Sequence, residues 1–143
     1  MQDAILKDFD TRRTAELEAD INFVDIDLTL TTVPLTKDFA IRRGNRAVQQ
    51  SIRTIVMATP GDLPFEDDYG VGVNSILGEN FDPVAVLELK ERIAQQIARY
   101  ETRAELVNVD VQHQQHDIRV GVAYVVKNNP QEQAVTVVVE RVL

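Results

Sequence analysis

Residues 105–143 read ELVNVDVQHQQHDIRVGVAYVVKNNPQEQAVTVVVERVL, and the fold turns on this tail. Three runs of alternating apolar residues are separated by two polar connectors, QHQQH and NNPQEQ. Successive side chains of an extended chain point to opposite faces, so a period of two marks a strand with one buried face. ELVNVDV places Val107, Val109 and Val111 on one side. DIRVGVAYVVK does the same with Ile118, Val120, Val122, Tyr124 and Val126. QAVTVVVERVL is a third strand, β-branched on both faces, that runs to the last residue. Connectors this short and polar are hairpin loops, which gives at least three antiparallel strands.

Helices precede the sheet. DPVAVLELKERIAQQIARY, residues 82–100, opens with Asp82 as N-cap and Pro83 at the first helical position. Val86, Leu89, Ile93, Ile97 and Tyr100 form one stripe along it. NRAVQQSIRTIVM, residues 45–57, follows Gly44, with Asn45 as the expected N-cap and Val48, Ile52, Ile55 and Val56 at helical spacing. Thr59-Pro60-Gly61 stops it. Residues 21–36 begin with period-two alternation, a short strand or extended segment ending before Pro34. Residues 1–20 are weakly amphipathic and read as a helical or flexible arm, leaving 21–143 as one domain. The expected fold class is α+β: a mixed, mainly antiparallel sheet of three to five strands packed by two or three helices.

Composition narrows the function. The chain has 143 residues, 44% of them apolar, enough for a modest single core. A formal charge of −8 disfavours nucleic acid, because phosphate binding needs a surplus of Lys and Arg. The one basic cluster, Arg42, Arg43 and Arg46 with Arg53 nearby, suits an acidic partner. No apolar run reaches the roughly 20 residues of a membrane span, and the first residues lack a secretory pattern. There is no cysteine and hence no disulfide or thiol chemistry.

Candidate chemistry is sparse. The loop TPGDLPFEDDYGVGV, residues 59–73, holds Glu66, Asp67 and Asp68, which with Glu101 are the candidates for a glycosidase carboxylate pair. Adjacent loop acids are usually solvated, and the chain has no Trp to line a sugar cleft. His113 and His116 spell H-x-x-H, but within an expected hairpin loop and without other ligands, so no metal site is assigned. Ser51 and Ser75 lie outside any nucleophile-elbow pattern. The loop therefore reads as a structural corner. Pro60, Gly61 and Pro64 stiffen it, Phe65 and Tyr69 are expected to pin it to the core, and Gly70 permits close backbone approach.

The order of these pieces resembles the baseplate wedge, or sheath-initiator, family of contractile phage tails, often labelled tail lysozyme-like, with relatives in type VI secretion and tailocin baseplates. Its hallmark loop G-x-x-P-F-x-P-x-(F/Y)-G is matched within TPGDLPFEDDYG, Thr59 to Gly70, from Gly61 onward, with Asp67 at the place of a frequent proline. Its helix closing on a tyrosine and an E-P-R signature is matched by Tyr100-Glu101-Thr102-Arg103, with Thr102 replacing the proline. The likeness spans residues 23–143. It implies a structural protein without catalytic residues or cofactor, sited in the baseplate of a virion tail and assembled in the bacterial host cytoplasm. The implied partners are wedge core-bundle proteins at Glu101, Thr102 and Arg103, and the tail sheath by strand addition, with Val135, Val137, Val139 and Arg141 on the candidate strand. Tail tube or hub are further implied partners; nucleic acid and membrane are not. The alternatives are a peptidoglycan-cleaving lysozyme-like enzyme and an adaptor-type regulator on the same fold.

Overall fold

The computed structural model describes residues 23–76, 82–114, 117–127 and 129–140. The expected arm, residues 1–20, lies outside the described residues, as do His116 and Arg141.

The chain tail folds as its alternation dictates. Strands β3 (Ala104–Gln114), β4 (Asp117–Val126) and β5 (Asn129–Glu140) form an antiparallel sheet in the order β3-β4-β5. Register places Val111, Val120 and Val137 side by side, and likewise Val109, Val122 and Val135. All six are buried, so these rows make the core face of the sheet. One expectation fails here. Val107 does not continue the row of Val109 and Val111, because the β3–β4 register shifts between Leu106 and Asn108. The extra residue of this bulge turns Val107 outward, 53% exposed, while Leu106 takes the inward place opposite Tyr124. His113 is also not in a loop: it lies in β3, one residue before its end, opposite Ile118.

Two helices cover the buried face. Helix α1 (Asn45–Met57) packs on β5 through Val48, Ile52, Ile55 and Val56. A four-residue turn of helix, α2 (Val73–Ile76), precedes α3 (Pro83–Tyr100). Helix α3 lies on β3 and touches α1, burying Leu89, Ile93 and Ile97. Burying each such branched aliphatic side chain contributes about 1.5–3 kcal/mol. Asp82 caps α3 as expected, its Oδ1 accepting from the Ala85 N–H at 2.7 Å. Asn45 does not cap α1. The cap is Gly44 at φ 57°, where its backbone N–H donates to the Phe23 carbonyl at 2.8 Å, and Asn45 begins the helix itself. The turn into α1 needs a left-handed residue, which only glycine adopts without strain.

The upstream segment forms a separate two-stranded ribbon. Strand β1 (Val24–Ile26) pairs antiparallel with β2 (Ile41–Arg43). Gln50 of α1 holds its end, Nε2 donating to the Ile26 carbonyl at 2.8 Å and Oε1 accepting from the Leu28 N–H at 3.1 Å. The ribbon is inverted relative to an ordinary sheet. Asp25 lies opposite Arg42 on a face turned toward the domain, while Val24, Ile26 and Ile41 are 44%, 57% and 49% exposed on the other. An apolar row facing solvent marks a surface made to be covered.

Candidate functional site

Two segments carry the motifs singled out by sequence, the end of α3 and the loop 59–70, and the fold sets them side by side. At the helix end, Tyr100 is followed by Glu101, whose N–H still bonds the Ile97 carbonyl at 2.8 Å. The chain then turns so that Glu101 points inward. The residue is 1% exposed, and its carboxylate grips Arg103 with both oxygens, Oε1 accepting from Nε and Oε2 from Nη2, each at 2.7 Å. This is a bidentate, charge-assisted pair. The Arg103 N–H also donates to Oε1 at 3.1 Å. On its other side Arg103 Nη1 donates to Asp25 Oδ2 at 3.1 Å, and its guanidinium lies 5.8 Å from the centre of the Phe23 ring. One arginine thus ties α3, β3 and β1 together.

The titration of Glu101 follows from this geometry. Burial pushes its pKa up, but hydrogen bonds from Arg103 and Ser51 outweigh burial and hold the carboxyl below its ordinary value. Arg103 is held still more firmly in its charged form, chiefly by the hydrogen bond to Glu101. Nearby Tyr124 is pushed up to about 12, first by burial and then by the Glu101 charge. Glu101 is therefore a buried anion. A general acid needs the opposite, a raised carboxyl facing a substrate cleft.

The loop has a firm base and an open tip. Its base folds back on the end of α1: the Val71 N–H donates to the Ile55 carbonyl at 3.0 Å and the Gly72 N–H to Ala58 at 2.8 Å. Gly70, at φ 103°, lies so close that an added Cβ would meet the Ala58 oxygen at 2.4 Å. Gln96 of α3 clamps the same corner, accepting from the Gly70 N–H at 2.9 Å and donating to the Asp68 carbonyl at 2.8 Å. Tyr69 packs edge-on against Tyr100 with ring centres 5.0 Å apart, and the Tyr100 hydroxyl donates to Glu66 Oε2 at 3.2 Å. Asp68 approaches Arg99 at 3.6 Å. Pro60 lies under Gly72, and the Thr59 N–H donates to Asp62 Oδ2 at 2.8 Å just before the exposed Gly61.

Phe65 corrects the expectation. It does not pin the loop to the core. Its side chain is fully exposed, at 101% of the reference area. The reason is local. The Glu66 N–H donates to the Leu63 carbonyl at 3.3 Å, closing a turn with Pro64 second and Phe65 third, and Phe65 takes φ 70°. That is the glycine place of a type II turn, and a side chain there is aimed outward from the tight corner. Tyr69, partly buried, packs against Tyr100 and the core, a contact that Phe65 does not share.

The carboxylates do not converge. Glu66, Asp67 and Asp68 are exposed on the loop, while Glu101 is sealed beneath Arg103. Of the three residues expected to meet wedge proteins, Glu101 is too deeply buried to reach a partner directly. Thr102 is exposed and Arg103 partly so. On β5, Val135, Val137 and Val139 turn their side chains into the core, leaving only their backbone for another chain. The sequence missed the groove between ribbon and α1, about 460 Å³, where Leu28 and Met57 stand beside Arg42 and Arg53. Its one signal was the basic cluster.

The helix end and the loop fall within a family match over residues 42–131, more than half of the chain, to the model described as baseplate wedge protein gp25, whereas most of the ribbon lies before it. The chain belongs to the baseplate wedge protein gp25 family. It is 26% identical over 118 residues to the baseplate wedge protein gp25 of Enterobacteria phage T4, covering 80% of this chain and 89% of that one. Its fold resembles a Geobacter sulfurreducens protein provisionally named a tail lysozyme (TM-score 0.60, 15% identity, 67% of this chain and 89% of the other). It also resembles a chain in the electron cryo-microscopy structure of the anti-feeding prophage baseplate (TM-score 0.58, 24% identity, 80% and 82%). The baseplate wedge family is one of structural baseplate proteins, and membership assigns this chain a structural role in a baseplate.

Proposed function

We propose that this chain sits in the inner baseplate of a contractile tail, binds wedge core-bundle proteins, and starts the tail sheath by accepting a strand from its lowest ring. The observation that carries the sheath part is the unequal protection of the two outer strands. Strand β3 is broken by the bulge at Val107 and covered by α3, whose Lys90 reaches Asp110 at 3.8 Å. Strand β5 pairs with β4 along nearly its whole length; α1 packs on its core face, but among the described residues no strand pairs with its outer edge. Residues 131–140 of β5 contain neither Lys nor Pro to blunt it. A long edge without such protection invites strand addition.

The wedge contact lies at Thr102 and the outer side of Arg103. Glu101 acts from beneath, fixing the guanidinium so that its remaining donors face one direction. The apolar face of the ribbon, with Arg43 and Arg46 exposed beside it, supports the same reading, since an assembly protein needs surfaces that are finished by others. Assembly takes place in the bacterial host cytoplasm, before the tail is complete.

The test uses the exposed face beside the β5 edge. Thr136→Lys with Val138→Lys leaves the core valines in place and adds gatekeeping charge. Electron microscopy of particles assembled with this variant should show tubes on baseplates that contain the chain but lack sheath. Normal sheathed tails would overturn the strand-addition reading.

A further inference from the structure

We infer that Phe65 is a docking knob, which inserts into an apolar pocket of a neighbouring baseplate protein, a pocket rimmed by Lys or Arg. The inference rests on the reading of the chain as an assembly protein, and it concerns a surface separate from both Arg103 and the β5 edge.

Three observations converge. First, the ring is completely exposed, in a chain of which aromatics make up only 6%. Second, Phe65 occupies a left-handed position, φ 70°, that glycine or asparagine fills at lower energy. Holding phenylalanine there works against folding, and the ring gains no contact within the chain in return. A local sacrifice of this kind belongs at functional positions. Third, the loop is tied down on both sides of the ring. Gln96 clamps Gly70 and Asp68, Tyr100 holds Glu66, and Pro64 fixes the residue just before the ring. A knob on a preorganised loop loses little further entropy on binding, and aromatic anchors in partner pockets dominate interface energetics.

Charge defines the partner. Asp62, Glu66, Asp67 and Asp68 flank the ring in sequence, all exposed, with Arg99 opposite Asp68. A pocket with acidic walls would be repelled, and one with a basic rim attracted. A second copy of this chain is the poorer candidate, because each copy carries a formal −8. A membrane is poorer still, since acids flank the only apolar tip of the loop other than the partly exposed Leu63.

The experiment places a photoreactive p-benzoylphenylalanine, the native ring extended by a benzoyl group, at Phe65 in purified tail particles. Irradiation should join it to a different tail protein, at a pocket with Lys or Arg within a few residues of the adduct. An adduct on another copy of this chain, or none from particles that contain the chain, overturns the inference while leaving the baseplate role intact. Particles from which the chain is absent would instead overturn the baseplate role. In parallel, Phe65→Gly should melt at or above the wild-type temperature, since the turn is relieved, yet enter particles at least tenfold less well in competition with wild type. Equal incorporation overturns the knob.

Discussion

The end of α3 and the tip of the loop 59–70 carry the two stretches by which the sequence resembles this family, and the fold treats them oppositely. At Glu101–Arg103 the charged groups are drawn inward, and a bidentate pair ties three elements together. At Phe65 an apolar ring is pushed out into water. Hydropathy alone would place them the other way round. The difference shows that burial follows the full set of partners available to a side chain. Glu101 finds Arg103, Ser51 and a helix end, whereas Phe65 stands at a turn whose backbone points it away from every neighbour.

The largest expected effect lies at the inward half. Arg103→Ala leaves Glu101 as an unpaired buried carboxylate, and removing one partner of such a pair costs about 3–5 kcal/mol. The pH dependence carries the signature. In the wild type the carboxyl is held below its ordinary value of 4.5, so its contribution is present above that pH and is lost as pH falls through the folded value. In the variant the hydrogen bonds from Arg103 are gone and burial raises the carboxyl, which then protonates readily. The stability gap between the two proteins should therefore begin to narrow above pH 4.5, where the raised carboxyl of the variant takes up its proton, and narrow further below it as the wild type loses its contribution, in chemical denaturation experiments. A gap that stays constant with pH would mean that Glu101 is not the charge stranded by the substitution.

A smaller loss is expected at the loop base. Gly70→Ala puts a methyl group 2.4 Å from the Ala58 oxygen on a backbone at φ 103°. Strain and overpacking together give about 2–4 kcal/mol, read as a lowered midpoint with unchanged slope in urea. A silent Gly70→Ala would show that the loop base can move, and would remove the rigid support on which the exposed Phe65 depends.

Much of this layout was legible in the sequence. The three strands at the end, both long helices, the Asp82 cap and the turn at Thr59 all follow from period, cap and breaker signals that depend on neighbours in sequence. What escaped depends on neighbours in space. The bulge at Val107 is set by the pairing partner Tyr124–Ala123, which alternation within β3 cannot see. Gly44 displaces Asn45 as cap because the chain enters α1 from a ribbon strand bonded at Phe23. The inward turn of Glu101 needs Asp25, 76 residues upstream on β1, to complete the arginine's partners. The outward turn of Phe65 was nearly readable: Pro64 at the second place of a turn makes the next residue a candidate for positive φ, but a large aromatic in such a loop suggested an anchor.

The smallest effects decide between anchor and knob most directly. Tyr69 and Phe65 sit four residues apart in one loop, yet Tyr69 is half-buried against Tyr100 and Phe65 is bare. Tyr69→Ala should cost about 2 kcal/mol from lost burial and the edge-on ring pair. Phe65→Ala should stay within about 0.5 kcal/mol of wild type, as an exposed substitution does. Thermal melts of the two single variants and the double variant separate the cases. If the rings worked together as one anchor, the double loss would differ from the sum of the singles, because neighbouring residues that share partners couple. Additivity with almost all the loss at Tyr69 places the loop's stability in its base and leaves the tip without a structural role, so that any selection acting on the ring must come from outside the chain.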